Sequence, residues 1–238
     1  LSLPPPPPLR AEHAGVWAVD LPGHGFTSPA PAEIGTLPGM ASGLQTLMQA
    51  LGAAPHWLVG HSAGAAIAVQ LALQEPVGLL GIVSLNGALL PLQGPHFSFF
   101  SPLARMLALQ PLVPRVVAWQ AAHAGLAERL LASTGSTLDA KGQALYRRLV
   151  SDPAHVQGAL AMMARWDLPA LQAQLGRLRV PLHLLAGSRD ATVPPADARR
   201  VQALVPGASL QVLAGLGHLA HEERPGEVAQ AILARMRG

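Results

Sequence analysis

The 238-residue sequence contains no cysteine. Disulfides, thiolate metal sites and a cysteine nucleophile are therefore excluded, and a reducing compartment is compatible with the chain. Aromatic residues are sparse, at four Trp, one Tyr and four Phe, and Lys141 is the only lysine. The arginines are scattered and no basic run exceeds two residues. A net charge of +3 thus comes without the basic stripe and stacking platform that nucleic-acid binding needs. There is no G-x-x-x-x-G-K-[ST] phosphate loop, no H-E-x-x-H and no cluster of carboxylates, so neither a nucleotide, a metal nor another cofactor is expected. No apolar stretch reaches the roughly 18 residues of a membrane span. The longest, Gly78 to Leu92, is interrupted by Ser84, Asn86 and Pro91. No charged leader followed by an apolar segment is visible, which gives no support to secretion. A cytoplasmic location is expected, with peripheral membrane contact left open.

What remains is a chain that is half hydrophobic and only 12% charged, enough apolar material for a sizeable core in one domain. Pro4 to Pro8 can only be extended or disordered, and residues 1–15 read as a proline-rich N-terminal segment. Gly15 to Asp20 reads as a short buried strand, followed by a turn cluster at Leu21-Pro22-Gly23-His24-Gly25. A helix is expected from near Met40 to Leu51, stopped by Gly52. Strands follow at His56 to Gly60, Gly81 to Leu85, Pro181 to Gly187 and Ser209 to Leu213, and helices at Ala65 to Leu73, Ala196 to Leu204 and Gly226 to Arg237. Strands alternating with helices predict an α/β fold with a mostly parallel sheet and helices on both faces. Between residues 90 and 179 the alternation stops. That stretch is Pro-punctuated and helical and carries Phe97, Phe99, Phe100, Trp119, Met162, Met163 and Trp166. It reads as a helical cap inserted into a core made of residues 16–89 and 180–238.

Gly60-His61-Ser62-Ala63-Gly64 follows one apolar strand and opens an alanine-rich helix. This is the strand-turn-helix context of a G-x-S-x-G nucleophile elbow. Glycines two residues before and two after the serine would let strand and helix pass closely. With 24 Gly in the chain, chance supplies roughly 0.1 such matches, so the pattern needs partners. Asp190 lies just beyond the fourth of the expected strands and His218 just beyond the fifth. The order Ser, Asp, His along the chain places all three at strand C-termini, where catalytic groups in parallel sheets gather. A serine hydroxyl needs a base to take its proton, an imidazole suits that role near neutral pH, and a carboxylate holds the imidazole tautomer. The N–H of Ala63 would supply one oxyanion donor. His221 is a competing base, and Asp190 could instead cap the turn before Pro194. Asp20 to Gly25 is expected to buttress the elbow.

These motifs together resemble the α/β-hydrolase superfamily. A narrower likeness rests on Gly60 to Ile67, Leu85-Asn86-Gly87-Ala88-Leu89, Thr134-Gly135-Ser136, His155 through Leu168, and Gly217 to Glu223. These segments resemble the BchO-type magnesium-chelatase accessory proteins of bacteriochlorophyll biosynthesis. The resemblance implies a role near magnesium insertion, a small apolar or tetrapyrrole-like ligand, and magnesium chelatase subunits as partners. Asn86, Met162 and Trp166 are candidate pocket residues. The superfamily has about three strands before the Val16 segment, whereas here only residues 1–15 precede it. The expectation is a sheet without its N-terminal strands, with an exposed edge and without the second oxyanion donor. A serine hydrolase with an acyl-enzyme, a non-catalytic tetrapyrrole-binding accessory protein and a general carboxylesterase all remain open at this point.

Overall fold

A computed structural model describes residues 15–237 apart from 26, 29–30, 77, 92–105, 107 and 111. The Pro4 to Pro8 run and Phe97, Phe99 and Phe100 lie outside the described residues. The described elements are α1 (Leu37–Ala50), β1 (Trp57–His61), α2 (Ala63–Ala72), β2 (Gly81–Leu85), α3 (Val113–His123), α4 (Leu126–Ser133), α5 (Ala140–Val150), α6 (Pro153–Arg165), α7 (Leu168–Gln172), β3 (Leu182–Gly187), α8 (Pro195–Leu204), β4 (Ser209–Leu213), α9 (Ala220–Glu223) and α10 (Pro225–Met236). Four strands form one sheet in the order β1-β2-β3-β4, every pair parallel.

Strand side chains alternate between faces, and two apolar clusters record this. Ile82, Leu182 and Leu184 join α1, α2, α7 and Val201 of α8 on one face. Val83, Leu85, Leu185 and Leu213 join Val228, Ala231 and Ile232 of α10 on the other. Leu184 and Leu185, adjacent in sequence, thus serve opposite layers. β2 is buried along its whole length, as a central parallel strand covered on both faces must be. The helices start where capping chemistry permits. The Thr36 hydroxyl accepts the Gly39 N–H at 3.1 Å, and the Asp139 and Asp152 carboxylates do the same for α5 and α6. Helices α3 to α7 occupy the interval between β2 and β3, so the break in alternation is a helical insertion.

One expected strand is absent. Val16 to Asp20 belongs to no ladder and is not buried: Trp17 is 65% exposed. Among the described residues β1 is bonded on one side only, to β2, and Val59 on it is 48% exposed. Between the two runs a groove of about 220 Å³ is lined by Trp17, Val19, Leu21, Val59 and Ile67, with Leu47 of α1. The apolar alternation of Val16 to Asp20 reports fitness for a sheet, whereas a ladder also needs a neighbour at strand spacing, and none of the described segments supplies it.

Candidate active site

The turn after β1 holds Ser62 at φ 51°, ψ −116°, a positive-φ conformation that costs a non-glycine residue of order 1–3 kcal/mol. Its N–H donates to Leu85 O at 3.0 Å, and its carbonyl accepts from Ala65 and Ala88, each at 3.1 Å. Tied to β2 and α2 at once, the backbone cannot relax. A Cβ on Gly60 would stand 2.5 Å from the Ala65 backbone, so only glycine lets β1 pass under α2 there. Gly64 differs from expectation: a Cβ on it would meet nothing within 4 Å. It faces the groove beside β1 and is not required for the close pass.

Asp190 and His218 follow β3 and β4 and are buried, at 4% and 6% exposure. His218 Nδ1 donates to Asp190 Oδ2 at 2.8 Å, and His218 Nε2 lies 3.0 Å from Ser62 Oγ. Asp190 also performs the turn function weighed against it, since its Oδ1 accepts the N–H groups of Thr192 and Val193, both at 2.8 Å. The carboxylate has two oxygens with separate tasks, so turn-capping and holding the imidazole do not compete. Ala63 is the first residue of α2, and its N–H is among the donors that a helix start leaves without intrahelical partners.

His221, the rival base, lies elsewhere. Its ring packs 4.5 Å from that of His61, which in turn stands 4.8 Å from His218. Burial pushes His221 down to about 4, with His218 adding to the effect. Burial, then His221 and His218, holds His61 well below the usual imidazole range. Both rings are therefore neutral near pH 7. His61 Nε2 donates to the His218 carbonyl at 2.8 Å, so this histidine braces the backbone behind the site.

The three candidate pocket residues separate. Asn86 is 2% exposed. Its amide donates to the carbonyls of Gly217 and His218 and accepts from Gly187 N, which makes it a tie between β3 and the His218 loop. Trp166 is part of the main core. Met162 packs on that core and lines a cavity of about 160 Å³ with Pro22, Gly23, Gln157 and Arg165. The turn at Leu21 to Gly25 packs against α6. A Cβ on Gly158 would overlap the Gly23 carbonyl, and the His24 ring meets His155 edge-on at 5.4 Å. Burial, and then His24, lowers the pKa of His155. Among the described residues no group of His, Asp and Glu could hold a metal ion, and no helix is long and apolar enough to cross a membrane.

Sequence reasoning did not find the Thr134 turn between α4 and α5, although Thr134-Gly135-Ser136 stood out as a segment. Its carbonyl and hydroxyl oxygens bond the loops that carry Asp190 and His218. No local pattern signals a contact made across more than 50 residues; the unusual Gly135, at φ 74°, is the one trace of it.

Comparison with known proteins agrees with this architecture. A family model described as alpha/beta hydrolase fold matches residues 5–225. The magnesium-chelatase 30 kDa subunit of Rhodobacter capsulatus is 40% identical over 236 residues, covering 98% of this chain and 80% of that one. The mouse sn-1-specific diacylglycerol lipase ABHD11 is 28% identical over 229 residues, 91% of this chain and 70% of that one. Among solved structures, a thermophilic esterase from Thermogutta terrifontis superposes with a TM-score of 0.69 at 26% identity, covering 92% of this chain and 78% of that one. The match along nearly the whole length, on a parallel sheet with helices on both faces, means that the chain belongs to the α/β-hydrolase family.

Proposed function

We propose that this protein is a serine hydrolase that cleaves an ester-like bond through an acyl-enzyme, in the cytoplasm, and serves bacteriochlorophyll biosynthesis near the magnesium chelatase step. The observation that carries the reading is the line from Ser62 Oγ to His218 Nε2 at 3.0 Å and from His218 Nδ1 to Asp190 Oδ2 at 2.8 Å, with the serine held at positive φ. In this mechanism His218 Nε2 takes the Ser62 proton as Oγ bonds to the substrate carbonyl carbon. Asp190 stabilises the imidazolium, and the Ala63 N–H donates to the developing oxyanion. The imidazolium then protonates the departing alkoxide. A water that loses its proton to His218 attacks the acyl-enzyme, and Ser62 leaves with that proton.

The pathway assignment draws on the likeness to the Rhodobacter capsulatus magnesium-chelatase 30 kDa subunit. That name also favours a second reading, a non-catalytic accessory protein that binds a tetrapyrrole or chelatase subunits and keeps the three-residue geometry. Labelling with a fluorophosphonate distinguishes them. The hydrolase reading expects full-length protein to be labelled at Ser62 and Ser62→Ala to stay unlabelled; full-length protein that resists labelling would refute it. Deletion of the gene, with pigment-intermediate profiling and complementation by Ser62→Ala, tests the pathway. Recovery of pigment by Ser62→Ala would favour the accessory role, and the lack of any pigment defect would favour a general carboxylesterase.

A further inference from the structure

Of three consecutive backbone N–H groups around the site histidine, two are held directly by one turn of the helical insertion and the third by Glu223, which also bonds that turn. His218 N–H donates to Thr134 O at 3.2 Å. Leu219 N–H donates to Ser136 Oγ at 2.8 Å. Gly217 N–H donates to Glu223 Oε1 at 2.7 Å, and Glu223 Oε2 accepts the N–H of Thr137 at 3.2 Å. The same turn holds the acid's loop. Thr134 O also accepts the N–H of Ala191, next to Asp190, at 3.3 Å, and Arg189 Nη2 donates to Gly135 O at 3.0 Å. A single carbonyl oxygen, that of Thr134, thus bridges the histidine itself and the residue following the aspartate.

The fit is close enough to depend on two glycines. A Cβ on Gly135 would overlap the Arg189 carbonyl, and one on Gly217 would stand 2.5 Å from the Gly135 carbonyl group and the Ser136 nitrogen. The turn sits between α4 and α5. From α5, Tyr146 reaches the same loop and donates to Glu222 Oε1 at 2.5 Å. These hydrogen bonds are part-buried or exposed, and made together they favour one arrangement, each contributing modestly. A shift of the His218 loop relative to the insertion breaks these bonds.

We propose that the Thr134 to Thr137 turn is a positioning clamp that aligns His218 with Asp190, so that displacement of the helical insertion misaligns the pair. This rests on the serine-hydrolase reading for its consequence in catalysis, and on geometry alone for the alignment. The titratable groups around His218 are Asp190, His61 and His221, with Glu222 and Glu223 on the following helix α9, Tyr146 of α5 bonded to Glu222, and Arg189 on the acid's loop.

The test uses full-length protein, Ser136→Ala, and Ser136→Thr, which keeps the Oγ acceptor. The rate of Ser62 labelling by a fluorophosphonate is followed across pH. Ser136→Ala is expected to lower the plateau rate about fivefold, the effect of losing one ordinary hydrogen bond. It should also move the midpoint of the profile to lower pH, because an imidazolium less well held by Asp190 is a stronger acid. Ser136→Thr should fall nearer the unaltered protein on both measures. A Ser136→Ala protein that melts earlier but keeps the same rate and midpoint would overturn the clamp. Proton NMR of the His218 Nδ1–H bonded to Asp190 reads alignment without chemistry. The resonance should move upfield or broaden in Ser136→Ala. If the unaltered protein resists labelling, the hydrolase reading fails alone, and an NMR resonance unchanged by the substitution then overturns the clamp as well.

Discussion

The Asn86 side chain joins Gly187 at the end of β3 to the carbonyl of His218: Oδ1 accepts the Gly187 N–H at 2.7 Å and Nδ2 donates to His218 O at 2.7 Å. With Nδ2 also donating to Gly217 O at 3.0 Å, one buried amide satisfies a donor at the end of β3 and two acceptors in the His218 loop, all far from it in sequence. Asn86 itself sits at φ 47°, a region that asparagine tolerates better than most residues.

Replacement of Asn86 should therefore be graded by donor chemistry. Asn86→Ala leaves the Gly187 N–H and the Gly217 carbonyl without partners, and the His218 carbonyl with the His61 ring alone, and should cost about 2–4 kcal/mol of stability. Asn86→Asp keeps the size but replaces the amide donor with an acceptor oxygen, so a buried carboxylate would face two carbonyls. It should be at least as destabilising at neutral pH. Urea denaturation midpoints of the two variants check this, and an Asn86→Asp protein as stable as the unaltered one would contradict it.

The histidines behind the site predict a pH dependence. His221 is lowered to about 4, chiefly by burial, while in the unfolded chain it titrates near 6.5. Between those values the unfolded state binds the proton and the folded state does not, so stability rises with pH across this window. The contribution is complete above about 6.5, is lost as pH falls toward 4, and amounts to about 3 kcal/mol. His61 is shifted in the same direction and should deepen the slope. His221→Gln should flatten the stability profile between pH 4 and 6.5, measured by denaturation at a series of pH values.

The strain at Ser62 gives a third prediction. At φ 51° a Cβ is disfavoured, and glycine is not. Ser62→Gly and Ser62→Ala both remove the hydroxyl and should both abolish labelling. Ser62→Gly should be the more stable of the two by about 1 kcal/mol, since only it releases the backbone strain. Equal thermal midpoints for the two variants would mean that the turn stores no such strain.

Much of this architecture was legible because parallel sheets write themselves into sequence. Short apolar runs with turn residues after them marked β1 to β4 to within a residue or two. Ser62, Asp190 and His218 could be brought together on paper because each follows a strand, and strands of one parallel sheet end on one edge. The illegible parts share a cause. Val16 to Asp20 has the side chains of a strand, but a strand is a relation to a neighbour, and periodicity carries no information about whether that neighbour exists. Asn86 bonds backbone groups more than 100 residues away, a relation that no local pattern announces. The Thr134 turn binds in large part through main-chain oxygens, which every residue possesses.

The two elbow glycines, alike in the motif, should behave oppositely. At Gly60 an added Cβ would stand 2.5 Å from the nitrogen and Cα of Ala65 and from the Gly64 carbonyl oxygen, all backbone atoms that no rotamer change can move aside. Gly60→Ala must therefore separate β1 from the alanine-rich α2, whose residues the core cluster buries, and should cost about 3 kcal/mol or more. Gly64 lies within α2, and its added Cβ meets nothing within 4 Å. There alanine, the better helix former, should be neutral or stabilising by up to about 1 kcal/mol. Chemical denaturation of Gly60→Ala and Gly64→Ala, measured side by side, checks both signs. The comparison holds the substitution constant and varies only its surroundings, so equal effects would show that steric closeness at the elbow does not decide which glycine the fold requires.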